Sequence, residues 1–145
     1  MLANYLFLQP LIEARLKAEV AGGMPVEGIE ELAQAGKEDQ RPFVIFVYWA
    51  GDRFDETEAG RAGRGTSQMM RQRWFVILYA RNAAQANRDA RNASVGALLT
   101  QLHKALAGWQ PEGCARTFTR CNGLVPDYTR ASGLYPLAFE ITLTL

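Results

Sequence analysis

Two uninterrupted apolar runs, Phe43 to Trp49 and Trp74 to Ala80, dominate the hydropathy pattern of the chain. Runs of this length and character predict strands buried on both faces, or on one face and a subunit contact. Ahead of them, Tyr5, Leu8, Ile12, Leu16 and Val20 recur at spacings of three and four, the stripe of an amphipathic helix. Pro10 is tolerated in a first turn, so the regular helix is expected to begin near Gln9, with Met1 to Leu8 as a leading turn or arm; Gly22 and Gly23 then stop it. A short helical turn or loop is expected over Val26 to Ala35, followed by the charged, exposed stretch Gly36 to Arg41.

The second half repeats the two periods. Val95, Leu98, Leu99, Leu102 and Leu106 share one helical face, with Ser94 or the earlier Asn87 as the cap and Gly108 as the left-handed stop. Arg81 to Asn92 is polar and reads as a loop leading into that helix. A weak strand is expected over Ala115 to Cys121, then a turn-rich stretch. In the last strand Leu137, Phe139, Ile141, Leu143 and Leu145 alternate with Ala138, Glu140, Thr142 and Thr144, one face buried and the other wet. The order helix, strand, arm, strand, helix, strand, strand predicts an α+β domain spanning residues 1–145: a mainly antiparallel sheet of about four strands with two helices on one face.

The stretch between the two apolar strands, Ala50 to Arg73, is long for a compact domain, which marks it as a binding or assembly element. Its charges are ordered. Asp52, Asp55, Glu56 and Glu58 come first, then Arg61, Arg64, Arg71 and Arg73, with Arg53 among the acids. These nine residues are the candidate subunit or tube contacts: the acidic half of one copy facing the basic half of the next gives head-to-tail contacts that close into a ring. Paired carboxylates also serve acid–base chemistry or divalent cations, but these lie in no apolar setting that would raise a pKa. Trp49, Trp74 and Trp109 are core residues by default, and an exposed one would make a strong interface anchor.

Composition narrows the partners. With 145 residues, 48% hydrophobic and 21% charged, the chain suits one self-sufficient core, and a net charge of +1 gives no global pull toward nucleic acid or membrane. Met1 to Pro10 lacks a basic leader and no run reaches membrane length, so a soluble, intracellular protein is expected, with Cys114 and Cys121 as free thiols. Catalytic signatures are weak. Gly60 to Ser67 imitates a phosphate-binding loop, yet Thr66 replaces the lysine and the segment leads into a strand. His103 is the only histidine and reads as a surface or boundary residue, Asn92 to Ser94 reads as a helix cap, and no cofactor, metal or catalytic residue is expected.

The layout resembles the tail terminator proteins of long-tailed bacteriophages, particularly those of Mu-like and related transposable phages. The likeness runs over most of the chain: Pro10, Leu11 and Ile12 in the first helix; Arg41, Pro42 and Phe43 opening a strand; the arm; Trp74 to Ala80 followed by Arg81 and Asn82; the leucine helix. Leu106, Ala107, Gly108, Trp109, Gln110 and Pro111 look like the family's Leu-x-Gly-Trp-x-Pro turn, and Tyr135 to Glu140 like its final strand. The resemblance implies a non-enzymatic subunit of a hexameric ring at the head-proximal end of the virion tail, assembled in the host cytoplasm. Its partners would be itself, the tail tube protein and a head–tail connector protein. It transfers no functional residue. The alternatives are a head-completion or connector subunit of the same particle and a small nucleotide-binding enzyme using Gly60 to Ser67.

Overall fold

A computed structural model of the chain describes residues 3–20, 23–28, 42–54, 69–81, 88–128 and 132–144. The elements in order are α1 (Leu8–Glu19), β1 (Val26–Glu27), β2 (Phe43–Phe54), β3 (Met69–Arg81), α2 (Arg88–Leu106), β4 (Thr119–Cys121), β5 (Asp127–Tyr128) and β6 (Ser132–Thr144). This is an α+β fold. The sheet runs β1-β2-β3-β6-β4, with β5 pairing β6 on the same side as β4. It is wider than the four strands expected, because β1 and β5 are two-residue segments that leave no periodic trace in the sequence. Val26 and Glu27 lie parallel to Ile45 and Phe46, where a helical turn or loop was expected; every other pairing is antiparallel.

Both helices cover one face. Leu8, Ile12 and Leu16 of α1 are wholly buried, and Val20 closes the stripe beyond the helix end. Pro10 falls in the first turn, where a missing N–H removes no intrahelical bond. Val95, Leu102, Ala105 and Leu106 of α2 join the same core as Ile45, Val47, Trp74, Val76, Leu137, Phe139 and Ile141. Arg15 ties the helices together: its Nε donates to the Ala105 carbonyl at 2.9 Å and its guanidinium lies 5.5 Å from the centre of the Trp109 ring.

Because α2 begins at Arg88, Ser94 lies inside the helix and does not cap it; Asn87 lies outside the described residues. At the other end Gly108 takes φ +80° and donates to the Phe118 carbonyl at 2.8 Å, while Phe118 N–H returns to Trp109 at 2.9 Å. The Trp109 and Phe118 rings stack with centroids 5.8 Å apart, which fastens the turn after α2 to the chain leading into β4. That strand covers only Thr119–Cys121 of the Ala115 to Cys121 stretch expected to form it.

The opposite face of the sheet holds a second apolar cluster of Val44, Phe46, Phe75, Ile77, Tyr79 and Ala138. The runs are apolar on both faces because both faces are buried from Val44 to Val47 and from Trp74 to Ala80. Ala138 departs from the wet register expected of it. A Cβ built on Gly123 would stand 2.8 Å from the Ala138 Cβ, so the chain after β4 lies flat on that position and seals it.

Candidate assembly surface

The strands outlast their apolar runs. β2 continues through Phe54 and β3 starts at Met69, so both ends of the expected Ala50 to Arg73 arm are sheet. Residues 49–54, 69–74 and 139–144 form a distal end in which β2, β3 and β6 continue side by side beyond the sealed apolar half. Asp52, Arg53, Arg71 and Arg73 lie there; Asp55, Glu56, Glu58, Arg61 and Arg64, like Gly60 to Ser67, lie outside the described residues.

One irregularity organises this end. Trp49 pairs with Trp74 and Asp52 with Gln72, so Ala50 and Gly51 together oppose Arg73, and Gly51 takes φ +102°. The extra residue puts Trp49 and Asp52 on the same face although they are three apart. The indole Nε1 therefore donates to Asp52 Oδ1 at 3.0 Å. The Tyr5 hydroxyl donates to Asp52 Oδ2 and lies 3.0 Å from the Met70 sulfur, and its ring meets Trp49 edge-on with centroids 5.9 Å apart. Burial and then the Asp52 carboxylate push the Tyr5 phenol up to about 12.

Beneath them, buried Gln72 donates to the Tyr5 carbonyl at 3.0 Å and accepts from Trp74 Nε1 at 2.9 Å. The chain before α1 is thus pinned across the end of the sheet. It leaves Tyr5, Leu6, Trp49 and Phe54 exposed, Trp49 by 39%. Of the three tryptophans only Trp74 is fully buried and Trp109 is half-buried, so Trp49 is the one available as an anchor. The sequence carried half of this signal: the aromatics were visible, but their juxtaposition depends on the bulge.

On the opposite face of the same end the charges are arginines. Arg53 and Arg71 stand directly across from each other on β2 and β3, and Arg73 lies two residues further along β3. Glu140 on β6 reaches Arg53 Nη2 at 3.4 Å and Arg73 Nε at 3.9 Å; Arg73 Nη2 also donates to the Asn122 carbonyl at 2.6 Å. Among the described residues, Arg53 and Arg73 of the expected arm therefore pair with Glu140 of the last strand. Cys121, a free thiol beside this group, is pushed up by burial, with Arg73 pulling it down and Glu140 up.

His103 is exposed, with Nδ1 3.4 Å from Arg120 and its ring tilted against Phe139. Among the described residues no three His, Cys, Asp or Glu side chains converge as a metal would require. No helix of the structure is long and apolar enough to cross a membrane. The surface offers exposed aromatics held by a hydrogen-bonded network on one face and arginines on the other.

No curated protein matches the chain. A family model described as phage tail terminator protein matches residues 1–145, and the chain therefore belongs to the phage tail terminator family, structural proteins of the bacteriophage virion.

Proposed function

We propose that this protein ends the phage tail by forming a hexameric ring on the completed tube, which stops further addition of tube subunits and presents a surface for the head connector. The observation that carries the reading is the family match over residues 1–145. The exposed Tyr5, Leu6, Trp49 and Phe54 patch supports it, since a rigid aromatic surface is the kind of anchor that subunit contacts use. In this reading Arg53 and the charged residues that follow it in the sequence, Asp55, Glu56, Glu58, Arg61 and Arg64, supply the polar rim of those contacts. Arg53 remains 63% exposed even with Glu140 beside it.

Purified protein added to elongating tail tubes tests the proposal. Growth should stop, with labelled protein at one end of each tube. Tubes that lengthen unchecked would contradict termination, and binding to the head connector alone would assign the chain to head completion.

A further inference from the structure

Among the described residues, the arginine face carries more positive charge than its neighbours neutralise. Among the described residues, Arg53, Arg71, Arg73 and Arg116 lie near one carboxylate, Glu140, and that carboxylate is taken by Arg53 and Arg73 at 3.4 and 3.9 Å. Among the described residues, Arg71 and Arg116 have no hydrogen bond or ion pair. Both line one groove of ≈ 320 Å³ with Thr117, Thr119, Glu140 and Thr142, beside β6 where β4 begins at the pairing of Thr119 with Glu140. Arg53 and Arg71 are also direct cross-strand partners, a like-charge arrangement that destabilises a sheet, and Glu140 offsets it on the Arg53 side alone.

The geometry points to a phosphate-binding site in this groove, with Arg71 and Arg116 as its cationic ligands and the hydroxyls of Thr117, Thr119 and Thr142 as additional donors. Phosphate suits the donor set better than a carboxylate does. Two guanidiniums bring up to about ten N–H groups and the threonines three hydroxyls, against two oxygens on a carboxylate and three terminal oxygens with close to two negative charges on a phosphate group. Arginine forks bind such oxygens in pairs. Glu140 has a separate role, because it holds Arg53 and Arg73 in the sheet and so leaves the two unpaired arginines to face the ligand. The phosphate is either free, inorganic or a terminal group on a small molecule, which presents the full oxygen count and charge, or part of a nucleic-acid backbone, whose diester presents two free oxygens and one charge and is the poorer match.

Calorimetric titration with inorganic phosphate at low ionic strength, and anisotropy with a labelled random-sequence DNA duplex, test the site on the full chain. Wild type should bind phosphate saturably, and the Arg71→Gln/Arg116→Gln variant should bind about tenfold more weakly or worse, the loss expected for charge-assisted hydrogen bonds. Lys17→Gln, which removes a charge from the exposed side of α1, should leave binding unchanged. Thermal melting checks folding, and the melting temperature of the double variant should hold or rise because repulsion with Arg53 is relieved. If that variant fails to fold, Arg116→Gln alone carries the comparison, since Arg116 lies outside the strands.

DNA binding that weakens with salt and with the double variant identifies a nucleic-acid backbone as the source, and phosphate binding without DNA binding identifies a free phosphate ligand. Absence of phosphate binding, equal weakening by Lys17→Gln, or binding of polyglutamate in place of phosphate would overturn the proposal.

Discussion

The two ends of the β2–β3–β6 sheet are built from the same three strands and do opposite things. At the proximal end Val44, Phe46, Ile77 and Tyr79 are buried on one face while Ile45, Val47, Val76 and Leu78 are buried on the other. At the distal end Met70, Gln72 and Ile141 are still covered, but Trp49, Arg53, Phe54 and Arg71 are exposed. The bulge at Gly51 marks the change. The lesson is mechanical: a binding surface continuous with core strands inherits their rigidity, so its side chains need no ordering on contact.

The sharpest break in that comparison is at the core itself. Phe139→Asp puts an unpaired charge where Phe139 packs fully buried across from Trp74, and should cost more than about 4 kcal/mol, enough to unfold the chain. A soluble variant that still melts cooperatively would show that β6 has another register. Next comes the bulge. A Cβ on Gly51 meets no neighbouring atom, so the penalty of Gly51→Ala, about 1–3 kcal/mol, comes from the backbone at φ +102°, and chemical denaturation should read it directly.

Tyr5→Phe removes one hydrogen bond at the distal end and should cost about 1 kcal/mol at neutral pH. Its pH dependence distinguishes the lattice from a loose contact. The folded phenol titrates near 12 against an ordinary 10, so the native state holds its proton more tightly. Stability from this group is fully present below pH 10 and is lost as pH rises through 12. The gap between wild type and Tyr5→Phe should therefore narrow over that interval, and a constant gap would deny the Tyr5 to Asp52 link. Smallest in stability is the double charge reversal Arg61→Glu/Arg64→Glu. Charges of a polar connecting segment are expected to contribute little to a core, so melting should be unchanged while the oligomer seen by light scattering is lost.

How much of this was legible in the sequence follows the same division. The α1 stripe with Pro10 in its first turn, the α2 face ending at Gly108, and the Leu137 to Leu143 alternation were all readable because burial imposes a period. The strand ends were not. Beyond Trp49 and before Trp74 the apolar run stops, yet Met70 and Gln72 still alternate with Met69, Arg71 and Arg73 at the period of two. Polar residue types hid a strand that neighbouring strands support through backbone hydrogen bonds. The early start of α2 was missed for a related reason, since Arg88, Asp89, Arg91 and Asn92 carry no apolar stripe.

Within the candidate surface, Arg53 and Arg73 were singled out by charge, but their partner Glu140 was invisible because it lies on a strand distant in sequence. Arg116, Tyr5 and Leu6 were not singled out as contact residues. Nothing in their local sequence announces that the fold brings them to the distal end.

Termination of the tail is tested most directly by the tail-length distribution, measured by electron microscopy in lysates of a phage or prophage lacking this gene. Abnormally long, headless tubes are the predicted result. Tails of normal length, whether or not they join heads, would contradict it.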